Sequence, residues 1–117
     1  MSISYEGIGE WCATFGCGEV NEGDVVKVSA SGTAAECSAG DDFCGVVRAA
    51  ARDGKACTVQ LGGLARVKYS GTAPAAGYAA LTADGKGGVS VPGESGSGST
   101  YLVLAVDSTE KTVTIRL

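Results

Sequence analysis

The side chains of this protein best able to do chemistry are five cysteines, Cys12, Cys17, Cys37, Cys44 and Cys57, because its 117 residues include no histidine. Without an imidazole there is no Ser-His-Asp triad, no Cys-His pair, no zincin motif and no histidine-held haem or iron. A nucleophilic cysteine or serine would need a lysine or carboxylate as its base, and no spacing in the sequence places one. Cys12, Cys17, Cys37 and Cys44 could be imagined around zinc, but their gaps miss the tight knuckles from which thiolate sites are built. An odd number of cysteines cannot close a disulfide framework, so reduced thiols packed as small hydrophobes are expected. A Cys12–Cys17 bridge is the alternative in oxidising surroundings.

The carboxylates and the glycine-rich loop offer little more. Asp41, Asp42 and Asp53 lack the Asp-x-Asp-x-Asp-Gly spacing of a calcium loop and read as turn formers. Gly93 to Thr100 copies the glycine spacing of a phosphate-binding loop, yet Ser99 stands where the lysine belongs. Glu94 would repel phosphate, and the segment leads into an apolar strand instead of a helix N-terminus. It reads as a flexible surface loop. No catalytic residue, cofactor or metal ligand is therefore expected. Arg66 and Lys68 alternate onto one strand face, which is either simply solvated or matched to an acidic patch on a partner.

A formal net charge of −4 and a pI near 4.6 argue against nucleic acid, which demands a basic face. No apolar run approaches the roughly 18–20 residues of a membrane-spanning helix, so no membrane partner is expected. Met1 to Glu6 lacks the basic start and apolar run of a secretion signal, which predicts a soluble protein finished inside a cell.

The elements that must position these residues are short strands. Nineteen glycines punctuate the chain, and aromatic residues make up only 6% of it. Its larger aliphatics are mainly valine, which favours strands. Strands are predicted over Asp24–Ala30, Phe43–Ala51, Ala56–Leu61, Leu64–Tyr69, Tyr78–Ala83, Gly88–Val91, Tyr101–Val106 and Thr112–Leu117. Arg52-Asp53-Gly54-Lys55 joins two of them as a hairpin turn. Tyr101–Val106 is apolar at every position, which predicts cover on both faces. No helix of ordinary length and no clear internal repeat stands out. The reading is all-β: a small barrel or sandwich of roughly seven to nine short antiparallel strands.

Residues 1–20 differ from the β-domain at 21–117. Tyr5, Ile8, Cys12 and Phe15 approach helical spacing, but four interrupting glycines cost roughly 1 kcal/mol each in a helix interior. An extended or irregular N-terminal arm is expected instead. It carries the only tryptophan, Trp11, so it must cover something apolar. Tyr5, Ile8, Trp11 and Phe15 either close the end of their own barrel or dock on a neighbouring subunit or larger surface. A core of valine and alanine is thin for a small domain, which favours self-association.

Over about residues 21–117 the order of strands and turns resembles tailed-phage capsid decoration, or head-stabilising, proteins and related small prophage structural proteins. The resemblance lies in Gly23-Asp24-Val25-Val26, Phe43-Cys44-Gly45-Val46-Val47 and Thr58-Val59-Gln60-Leu61-Gly62-Gly63. It continues through Ala76-Gly77-Tyr78-Ala79-Ala80-Leu81-Thr82-Ala83-Asp84, Leu104-Ala105-Val106-Asp107 and Thr112-Val113-Thr114-Ile115. It implies a non-enzymatic virion protein, made in the bacterial host cytoplasm and bound to the capsid exterior. Such proteins often form trimers at threefold positions and clamp the major capsid protein, reaching the lattice with an N-terminal arm. The competing classes are a bacterial adhesive or binding β-module and a small enzyme with an acid-base site in a barrel mouth.

Overall fold

The computed structural model describes residues 10–52, 54–92 and 98–117, which form ten strands and no helix. They are β1 (Trp11–Cys17), β2 (Val25–Ala30), β3 (Thr33–Glu36), β4 (Gly45–Ala50), β5 (Ala56–Gly62), β6 (Leu64–Ser70), β7 (Gly77–Ala83), β8 (Val89–Ser90), β9 (Ser99–Asp107) and β10 (Thr112–Arg116). All eight predicted strands are present with small changes at their ends. The all-β reading holds, and the architecture is two small closed barrels of five strands each.

The two barrels repeat one topology. Around the first, the order is β1-β3-β2-β4-β5, with β1 and β3 parallel and every other neighbouring pair antiparallel. Around the second it is β6-β8-β7-β9-β10, with β6 and β8 parallel and the rest antiparallel. Even the irregularity recurs. Val47 pairs with Val59 and Ala49 with Thr58, leaving Arg48 over, just as Val103 pairs with Ile115 and Ala105 with Thr114, leaving Leu104 over. Such a bulge bends the strand and increases its twist, which helps so small a sheet to close. The expectation of no repeat is thus corrected. Thr58-Val59-Gln60-Leu61 and Thr114-Ile115-Arg116-Leu117 are its sequence trace.

Equivalent positions fill the two interiors. Val26, Ala34, Val47, Cys57 and Val59 are the buried core of the first barrel, with Phe15, Cys17 and Leu61 packed against them. Val89, Val103, Val113 and Ile115 hold the places of Ala34, Val47, Cys57 and Val59 in the second, with Leu81, Ala65, Val67 and Tyr69 beside them. The larger cluster does not stop at the second barrel. Val25, Cys37, Phe43 and Val46, from β2, β4 and the loop between β3 and β4, belong to it as well. Successive residues point to opposite faces of a strand, so Val25/Val26 and Val46/Val47 each send one side chain into either core.

These are the strands covered on both faces. The same was expected of β9, where the structure differs: Val103 is buried, but Tyr101, Leu102, Leu104, Ala105 and Val106 are only half-buried. Being apolar throughout is not enough when the outer face of a barrel has no further layer.

The junction is fastened by Gln60 on the outer face of β5. It is fully buried, and its Nε2 donates to the carbonyls of Gly62 and Leu64, both at 2.9 Å, fixing the turn from one barrel into the next. Its Oε1 is buried without a partner among the described residues. A second fastening is Phe43, whose ring stacks on Tyr101 with centroids 4.6 Å apart and planes 6° from parallel. The Tyr101 hydroxyl donates to the Phe43 carbonyl at 2.7 Å.

Candidate functional site

Of the four residues expected to make contacts, Trp11 and Phe15 lie on β1, whereas Tyr5 and Ile8 fall outside the described residues. Over Trp11–Cys17 the segment read as an arm is a strand of the first barrel. It pairs antiparallel with β5 along its length and parallel with β3 at its end. Phe15 sits opposite Cys57 and packs half-buried against the interior cluster, so its ring serves its own barrel.

Trp11 behaves differently. It is 58% exposed at the rim of the barrel. Its indole lies over Gly62, where a Cβ would collide with it, so the absence of a side chain at that position is what seats the ring. Glu10, next to it, is ion-paired with Arg48 at 3.2 Å. On β1, β3 reaches only Gly16 and Cys17, so from Trp11 to Phe15 the edge away from β5 has no strand partner among the described residues. Cys12 and Thr14 on this stretch are exposed. An exposed aromatic beside unpaired strand edge is the arrangement by which a sheet accepts an extended partner.

The five cysteines do not gather at one site, though Cys17 and Cys57 are neighbours. All five are free, with Cys12 and Cys44 exposed, Cys17 half-buried, and Cys37 and Cys57 buried. Cys12 and Cys17 lie five positions apart along one strand, roughly 16 Å and on opposite faces, which rules out a bridge between them. Burial pushes the Cys37 thiol up to about 11, with the Asp41 carboxylate adding to the rise. Burial also pushes Cys57 up to about 12, helped by a hydrogen bond with the neighbouring Cys17. Both are held as neutral thiols, which are poor nucleophiles and metal ligands. No group of three Cys, Asp or Glu side chains that could hold a metal ion occurs among the described residues.

Asp41 takes the turn role expected of it. Its Oδ2 accepts from the Ser38 amide at 2.9 Å and from Lys27 Nζ at 2.6 Å. The bonded Lys27 holds the Asp41 carboxyl below its ordinary value, and Lys27 is raised in return. Asp53 and most of the glycine-rich loop lie outside the described residues; Gly98 leads directly into β9, so that loop opens a strand as expected.

A feature that the sequence only half disclosed lies between the barrels. Arg66, Val67 and Lys68 of β6, Lys86 and Gly87 of the turn before β8, and Thr112 of β10 form one side of a cleft of about 250 Å³. Glu22, Gly23 and Asp24, before β2, form the other. Alternation along β6 brings Arg66 and Lys68 to one face. Nothing in the linear order brings Lys86 or the Glu22–Asp24 turn to them.

Comparisons with protein-family models, with curated proteins and with solved structures found no match to this chain.

Proposed function

We propose that this protein is a non-enzymatic decoration protein of a tailed-phage head, which binds the outside of the capsid as a trimer and stabilises it. Its partners are then the major capsid protein and two further copies of itself, and its place is the virion exterior. The observation that carries the reading is Trp11: a large aromatic ring, held in place over Gly62 yet mostly exposed, beside a stretch of strand edge with no partner among the described residues. Buried aromatic anchors supply much of the energy of protein interfaces. A pair of closed barrels sharing one core fits a role that consists of adding interface between neighbours, since each bound copy favours the intact head by mass action.

The test is co-sedimentation with expanded heads, alongside light scattering after gel filtration. A trimer that co-sediments, and that loses at least about tenfold in affinity on Trp11→Ala, supports the reading. A monomer that never co-sediments with any capsid overturns it. Binding unchanged by Trp11→Ala would remove Trp11 from the contact.

A further inference from the structure

We propose that the cleft between the two barrels is a docking site for an extended, acidic polypeptide segment of a partner protein, held by Arg66, Lys68 and Lys86. This does not rest on the decoration reading.

The cations are free to bind. Arg66, Lys68 and Lys86 are all exposed, and the two ion pairs among the described residues, Lys27–Asp41 and Glu10–Arg48, involve none of them. Three unpaired cations converge here on a chain whose net charge is −4. The fold does not require them. In the first barrel the positions equivalent to Arg66 and Lys68, set by pairing with Thr58 and Ala56, are Thr14 and Gly16, and that strand forms without charge.

Both walls are also locked before anything binds. Asp84 Oδ1 accepts from the Lys86 and Gly88 amides at 2.6 and 3.0 Å, while Ser70 donates to its Oδ2 at 2.6 Å. The Val25 amide donates to the Gly87 carbonyl at 3.0 Å, tying the walls together. Gly87 has a φ of 89°, and a Cβ there would strike the Asp24 carboxylate.

Spacing and charge select the occupant. Arg66 and Lys68 are two residues apart on a strand, about 7 Å, which matches acidic side chains two residues apart on a facing extended chain. On β6, β8 reaches only Tyr69 and Ser70, so the adjoining edge from Leu64 to Lys68 has no strand partner among the described residues. An extended segment is the form such an edge receives. Glu22 and Asp24 on the opposite wall keep it from being a general anion trap. Asp24 is occupied in part by the Asn21 amide at 3.0 Å.

The test is a nuclear magnetic resonance titration of the whole chain with a β-prone peptide carrying glutamates two residues apart, its glutamine counterpart, and inorganic phosphate. The glutamate peptide is expected to shift the amides of Arg66, Val67, Lys68 and Gly87, and to weaken as salt is added. The glutamine peptide should bind at least about tenfold more weakly, as should the glutamate peptide to an Arg66→Gln, Lys68→Gln double variant. Both side chains are exposed and unpaired, so this variant keeps the fold, and its amide spectrum checks that. Lys86→Gln should weaken binding by a smaller factor. Equal binding of the two peptides, no effect of the double substitution, or no shift at millimolar peptide would each overturn the proposal. Phosphate binding as tightly at the same amides would overturn it too, in favour of an unselective anion site.

Discussion

Replacing Phe43 by alanine should destabilise both barrels together. Phe43 precedes β4 of the first barrel, yet its ring is buried in the cluster that fills the second and stacks on Tyr101. Removing a buried phenylalanine costs about 3–5 kcal/mol, including the cavity left behind and the lost stacking. The hydrogen bond from Tyr101 to the Phe43 main-chain carbonyl survives the substitution. Against a total stability of about 5–15 kcal/mol, this is a large fraction. For a chain of this size it corresponds to a fall in Tm of about 10–25 °C.

The assay is thermal unfolding followed by Trp11 fluorescence, which reports on the first barrel, together with amide exchange at Val59 and Val113, one in each interior. Both amides should lose protection by about two to four orders of magnitude, with a single transition at every probe. The first barrel's own interior cluster, Val26, Ala34, Val47, Cys57 and Val59, does not contain Phe43. A barrel folding alone would therefore leave the Trp11 transition where it was. That result, or a split transition in the parent protein, would refute a core shared between the barrels.

Two further outcomes follow from the titrating groups. Asp41 is held below its ordinary 3.8 by Lys27, so the pair's contribution is complete above that value and is lost as pH falls through the folded value beneath it. Lys27 is raised above 10.5, so its share is present below that value and lost only at higher pH. Asp41→Asn should flatten the acid limb of a urea-midpoint profile, less so in 1 M salt because the pair is only half-buried and salt screens it; an unchanged acid limb would exclude the pair as its source. In native protein at pH 8, mass spectrometry after iodoacetamide should find Cys12 alkylated well before Cys37 and Cys57, whose buried thiols titrate near 11 and 12. Urea should abolish the difference, and equal rates in the folded state would contradict the burial of Cys57.

Most strands were legible because their signals are local. Arg66 and Lys68 alternating with Val67 and Tyr69 on β6, and the short connection that leaves β4 and β5 paired as a hairpin, express strand and hairpin physics within a few residues. β1 and β3 were not legible, for a physical reason. Thr33-Ala34-Ala35-Glu36 has little strand preference of its own, and Trp11–Cys17 is interrupted by glycine and flanked by more. Each is a strand because it has a partner: β3 lies between β2 and β1, and β1 lies along β5. Strand preference depends on context to that degree. Trp11 was legible as an aromatic that must cover something apolar, its own barrel or a neighbour. Its seat on Gly62 was not, since it depends on pairing across β1 and β5.

The internal repeat was hidden by the divergence that makes the molecule work as one body. Inside the barrels the equivalent positions changed only among hydrophobic residues of different size, Ala34 for Val89, Cys57 for Val113 and Val59 for Ile115. Outside, they changed in kind. Gln60, buried against the junction, corresponds to the exposed Arg116, and Thr14 and Gly16 correspond to Arg66 and Lys68. A burial pattern needs only apolar side chains of roughly the right volume, so the interiors kept the topology while losing identity. The outer faces were free to differ because each meets a different surrounding: the first barrel lends its outer Val25 and Val46 to the shared core, while the second turns cations toward the cleft. One barrel carries the exposed tryptophan and the other the exposed cations of the cleft, so the two candidate contacts stand on separate barrels joined by a shared core, and a change at one need not disturb the other.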